Sequence, residues 1–344
     1  MKKTLSFLLA MVMVFCLAAC GSTTQPSTPA PAASDAPAET PSEATGPKQF
    51  FNIATGTMSG TYYSLGNALA SLLNEKSEQN ISFSAEATNG SGQNVEFLAS
   101  GECSLALVNN DVAKAAYLGI GNYEGAALTN LSGITAIYAN SIHIIVPSNS
   151  GIKSVADMAG KTVSVGAAGS GVESIARMIV AAYGMNYWDG NDFKPEYLGV
   201  SESMEGLKNG QIDAVFMTGL PPMSAIVDVF MSNDVTLIPL DADIITKLTT
   251  DYPELFAVTI KAGTYQDQAE DIQTVANSAL LMASTDADEE TIYQITKIMF
   301  ENGDYLVERN NVWAQMTAEN YGMGMTVPLH PGAERYFKEI GIIS

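Results

Sequence analysis

The chain has 344 residues, 16 of them basic and 37 acidic, with a formal net charge of −21 and three cysteines. So negative a balance argues against a nucleic-acid partner and against electrostatic docking on anionic lipid, since both need basic surface. Cys16 and Cys20 fall in an N-terminal leader, which leaves Cys103 in an apolar run as a buried thiol without a disulfide partner.

The leader opens on Met1-Lys2-Lys3, runs through apolar residues from Leu5 to Ala19 and reaches Leu17-Ala18-Ala19-Cys20-Gly21. A basic start, a short apolar core and small residues before a cut read as a secretory signal over residues 1–19. The run is short of the roughly 20 residues of a membrane span. Cys20 after Leu-Ala-Ala is similar to the lipobox of bacterial lipoproteins, which implies a lipidated Cys20 anchored on the extracytoplasmic face of the cell membrane. Residues 20–47 are rich in Pro, Ala, Ser and Thr, hold too few large apolar residues to offset the entropy of ordering, and read as a disordered tether.

From Lys48 onward the chain is long enough for two α/β lobes. Phe50 to Ala54 is a strand, Thr55 to Gly60 a turn, and Thr61 to Lys76 a helix with Tyr62, Leu65, Leu69, Leu72 and Leu73 on one face. Ile81, Phe83, Ala85 and Ala87 alternate as in a strand, Asn89 to Gly92 turns, and a helix carries Val95 and Leu98. Cys103 to Val108 is a strand, and Asp111 is expected to cap a helix through Leu118. Further strands are expected at 141–146, 161–166, 212–217, 255–260 and 274–282. Helices are expected at 172–183, from Pro221 onward, at 288–308 and at 332–340. This alternation argues an α/β fold with mostly parallel strands.

Three turns stand between a strand and a helix: Thr55 to Tyr63, Thr88 to Asn94, and Gly166 to Glu173. Ligands of open α/β sheets lie at the carboxyl ends of strands, where such turns gather. Glycines allow close backbone approach, hydroxyls donate, and a helix N-terminus carries about half a positive charge. Arg177, Arg309 and Arg335 all lie outside these turns. The expected site therefore holds an anion by dipoles and hydroxyls rather than by an ion pair.

Taken together, ATGTMSGTYYSLG, VSVGAAGSGVESIAR, QIDAVFMTGLPP and VPLHPGAERYFKEIG closely resemble the TAXI family of TRAP-transporter solute-binding receptors, in the expected order. The resemblance implies a type II periplasmic-binding-protein fold: two α/β lobes joined by a hinge, here 48–140 with 258–344 and 141–257. It also implies a small carboxylate ligand of the glutamate or 2-oxoglutarate type, and TRAP permease membrane subunits as partner. Carried over residue by residue, it puts Ser59, Thr61, Tyr62 and Tyr63 in the first lobe's contacts, with Asn89, Ser91, Asn94 and Asp111 nearby. Ser170, Gly171 and Val172 would face them from the second lobe, with Gly219 and Pro221 on the far wall. Met58 and Val172 depart from the family pattern. Neighbouring helical tyrosines point about 100° apart, so at most one of Tyr62 and Tyr63 should face the ligand.

The chain is expected to act as a monomer without metal or cofactor, and not as an enzyme. His143 and His330 are far apart and lack nearby acids at metal-ligand spacing. Ser170 in Ala-Gly-Ser-Gly-Val does not make the Gly-x-Ser-x-Gly elbow of a serine hydrolase, and Gly166-x-x-Gly169-x-Gly171 inverts the dinucleotide fingerprint. A receptor feeding a membrane signalling kinase would carry the same binding residues.

Overall fold

The computed structural model describes residues 49–77, 80–189 and 191–344; the leader, Cys20 and the tether lie outside them. The first strand–helix run is β1 (Gln49–Ala54), α1 (Thr61–Lys76), β2 (Ile81–Glu86), α2 (Ser91–Ser100), β3 (Leu105–Asn109) and α3 (Asn110–Leu118). The long strand β4 (Leu131–Pro147) leads to a second run: β5 (Thr162–Ser164), α4 (Gly171–Ala182), β6 (Lys194–Glu196), α5 (Val200–Lys208), β7 (Ala214–Gly219) and α6 (Ser224–Ser232). The chain continues through β8 (Val235–Leu237), α7 (Ala242–Asp251), β9 (Phe256–Ile260) and β10 (Ile272–Ser284). Three helices follow: α8 (Glu289–Glu301), α9 (Gly303–Arg309) and α10 (Pro331–Glu339).

The α/β class is the expected one, but the sheet is mixed rather than mostly parallel. Its order is β2-β1-β3-β10-β4-β7-β5-β6, with β8 on β4 and β9 on β10. The outer strands pair in parallel, β1 with β2 and β3, and β5 with β6 and β7. Every pairing of β4 or β10 with another of these strands is antiparallel. The reason is that β4 and β10 thread both halves of the sheet. β4 pairs with β10 from Leu131 to Ser141 and with β7 from Ser141 onward. β4 thus begins ten residues ahead of the expected start at Ser141.

Alternation along the strands sorts the apolar residues onto two faces. In the first half, Ile53, Leu105 and Leu107 pack with α1, where Leu65, Leu69, Leu72 and Leu73 are fully buried at helical spacing. Burying each leucine contributes roughly 2 kcal/mol. Ala54, Ala106 and Val108 face the other way, onto Val95 and Leu98 of α2. In the second half, Ile144 and Val146 pack with Ile175 and Ile179 of α4, whereas Ile145 meets Ile226 and Phe230 of α6. Cys103 is buried as expected, and burial pushes its thiol up to about 12.

Two helix starts differ from expectation. The N-cap of α3 is Asn109, and Asp111 sits inside its first turn. The N-cap of α6 is Met223, so Pro221 belongs to the turn before the helix. The helix expected over 288–308 is broken at Asn302, where φ −124° and ψ 34° leave helical geometry between α8 and α9.

Candidate functional site

Helices α1 to α6 have as N-caps Gly60, Gly90, Asn109, Ser170, Gly199 and Met223, and all six residues line one cavity. The cavity volume is about 100 Å³. Of the six caps only Ser170 closes its own helix, its hydroxyl accepting from the Glu173 amide at 3.2 Å. The other five make no side-chain cap bond. First-turn N–H groups from several helices therefore bring partial positive charge to one space, each terminus worth about half a unit. No Asp, Glu, Lys, Arg or His lines the cavity.

Gly90 opens α2 with φ +101°, a conformation that L side chains rarely adopt, and its Cα faces Ser170 of the opposite half. Gly171 is needed for close approach. A Cβ there would fall 2.1 Å from Asn109 Nδ2 and 3.0 Å from Ser91 Oγ. Asn109 is the hub: its Oδ1 accepts from the Tyr62 hydroxyl and from Asn140 Nδ2 at 3.2 Å, and its backbone N–H donates to Ser91 Oγ at 3.0 Å. Burial, then the neighbouring Tyr138 and Asp111, hold the Tyr62 phenol well above its ordinary value, so it donates as a neutral hydroxyl. Asn140 also lines the cavity, and its buried Oδ1 has no hydrogen-bond partner. The lining also includes the apolar side chains of Tyr138, Val172, Leu198, Val200, Phe216 and Met217.

The two halves are tied beside the cavity. The Gly92 amide donates to the Gly169 carbonyl at 3.1 Å, and Ser174 Oγ donates to Asp111 Oδ2 at 2.7 Å. The other Asp111 oxygen accepts from Asn277 Nδ2 at 2.7 Å. Burial raises this carboxyl above its usual value, while the Ser174 and Asn277 bonds pull it down. Glu173 is buried and paired with Arg177 four residues on.

Seven of the residues expected at the site line the cavity: Thr61, Tyr62, Asn89, Ser91, Ser170, Gly171 and Val172. The other six lie off it. Ser59 is exposed on a neighbouring groove with Met58 and Arg309. Of the neighbouring tyrosines, Tyr62 lines the cavity and Tyr63 does not. Asn94 is fully buried and bonded to Thr88 Oγ1, Thr55 O and Leu107 O. Asp111 serves the tie just described, and Gly219 backs onto the Met223 side chain. Pro221 is absent from the lining. Sequence reading missed Asn109, Asn140, Tyr138, Gly199, Ser203, Phe216 and Met223. Asn109 carried a usable sign, a cap-type residue between an apolar strand and a helix.

Residues 53–341 match the NMT1-like family. The chain belongs to the NMT1-like family. Solved structures similar to this NMT1-like protein include the periplasmic aliphatic sulphonate binding protein SsuA from Escherichia coli. That likeness is 16% identity over 84% of this chain and 78% of that one, with a TM-score of 0.42. The alkanesulfonate-binding protein SsuA from Xanthomonas axonopodis pv. citri, bound to MOPS, is 16% identical over 86% and 85%, with a TM-score of 0.48. An ancestral arginine-binding protein bound to arginine is 16% identical over 76% and 98%, with a TM-score of 0.46.

Proposed function

We propose that this chain is an extracytoplasmic solute receptor that closes over a small organic anion and hands it to a TRAP-type membrane permease. The observation that carries the reading is the gathering of six helix N-caps on one cavity without a charged side chain. Such a cavity stabilises negative charge by preoriented amides, at little cost of desolvating a lysine or arginine. Its lobes would be residues 48–140 with 258–344 and residues 141–257, hinged through β4 and β10. Ligand drives closure by binding the closed form better than the open one. The leader and Cys20 support a lipid anchor outside the membrane, and the TAXI resemblance supports the permease and brings glutamate and 2-oxoglutarate into consideration.

Capture without turnover fits the hydroxyl of Ser170, which accepts from the amide of its own helix. His143 bonds Tyr265 and Ser141, and His330 bonds Ala287 and Gly332, so neither serves Ser170 as a base.

A thermal-shift screen of the purified chain with small carboxylates and sulfonates tests the reading. At about 100 times its Kd, a true ligand adds roughly 2.7 kcal/mol and raises Tm by several degrees. The Gly171→Ala variant, whose Cβ would strike Asn109, should lose that shift. No shift with any anion, or an equal shift in Gly171→Ala, would remove the cavity as the site.

A further inference from the structure

We infer that the ligand is an organic acid without an amino group, a 2-hydroxy or 2-oxo acid with a short apolar tail. This rests on the anion-binding reading above and narrows it. An α-amino acid brings an ammonium group beside its carboxylate, and in a closed site that charge needs an acidic partner. None of the residues lining the cavity is acidic. The two buried acids flanking it are already engaged. Asp111 accepts from Ser174 and Asn277, and Glu173 is paired with Arg177. Turning either toward a ligand would break those bonds and leave Arg177 or the tie between halves without its partner.

Beyond the amides the cavity offers only neutral polar groups, among them the Asn140 amide and the hydroxyls of Thr57 and Thr61, together with apolar side chains. The unpartnered Oδ1 of Asn140 can accept from an O–H donor, as a hydroxyl next to the carboxylate supplies. It cannot compensate a full positive charge. The apolar side chains of the lining, Tyr138, Val172, Leu198, Val200 and Phe216, favour a hydrocarbon tail and penalise a second carboxylate placed against them.

Matched ligands that differ at one position isolate each element. Calorimetry on the purified chain would compare leucine with 2-hydroxy-4-methylpentanoate and 4-methyl-2-oxopentanoate, and glutamate with 2-oxoglutarate. Within each skeleton the amino acid should bind at least a hundredfold more weakly than its oxo or hydroxy counterpart. The isobutyl acids should also bind tighter than 2-oxoglutarate. An amino acid that equals or exceeds its counterpart overturns the absence of an ammonium subsite, while leaving anion capture intact. A preference for 2-oxoglutarate overturns the apolar tail. Failure of every acid in the panel, together with the Tm screen, would instead sink the cavity reading itself.

Discussion

At the scale of single residues, His143 shows how a buried side chain can serve the site without touching a ligand. Its Nδ1 lies 3.1 Å from the Ser141 carbonyl, which makes Nδ1 the protonated nitrogen. Nε2 must then accept from the Tyr265 hydroxyl at 2.8 Å, and the Tyr265 oxygen accepts from the Met223 amide at 3.1 Å. The chain of bonds ends at the N-cap of α6, on the cavity wall. Burial holds His143 down to about 3, against an ordinary value of 6.5. The unfolded chain therefore binds a proton that the folded chain refuses, and stability falls as pH drops below 6.5. The slope approaches about 1.4 kcal/mol per pH unit. Asp111 contributes with the opposite sign, since its folded value is raised, but it cancels in a comparison with His143→Gln. Urea unfolding between pH 6 and 4 should show the wild-type advantage over that variant shrinking by roughly 1 kcal/mol per unit. A constant gap would mean that His143 is not held neutral.

Elements were legible in the sequence where local rules act, and much less so where tertiary packing decides. The leucine spacing of α1 and the glycine turns before α2 and α4 announced themselves, and they supply Tyr62, Ser91, Ser170 and Gly171 to the cavity. Asn109, Gly199 and Met223 do the same work from turns without a glycine-rich signature. Their convergence depends on parallel strands ending side by side. The early start of β4 was hidden because Leu131 to Tyr138 is buried on both faces and shows no alternation. Asn94 marks the boundary between a binding motif and a structural one. Its side chain bonds the carbonyls of Thr55 and Leu107 at 2.6 and 2.7 Å and the Thr88 hydroxyl at 2.7 Å, clamping α2 to the ends of β1 and β3. Asn94→Ala leaves those buried groups unpaired and should cost about 3 kcal/mol or more in urea unfolding. The folded fraction should keep its ligand affinity within a fewfold. Unchanged stability with lost binding would return Asn94 to the site.

On the scale of the whole molecule, the fold sets a local field against a global one. The chain carries a net charge of −21, and removal of the leader would take away Lys2 and Lys3 and deepen it. An approaching anion meets repulsion at a distance and attraction only once it reaches the converging amides. Long-range repulsion is screened by salt, with a Debye length of about 30 Å at 0.01 M and about 8 Å at 0.15 M. Dissociation breaks short contacts inside a closed cavity, where screening is slight. The association rate should therefore rise about two- to fivefold across that range of ionic strength, with little change in the dissociation rate, as stopped-flow mixing can measure. The competing influence is Arg309, which stacks on the Tyr305 ring and lines the groove that shares Gly60, Thr61 and Met223 with the cavity. Arg177 and Arg335, by contrast, are occupied by ion pairs with glutamates. If association slows with added salt, attraction by Arg309 outweighs the net charge. In that case Arg309→Gln should restore the rising dependence. If it does not, ligand capture is governed by neither field, and the acidic surface serves only to keep neighbouring copies apart.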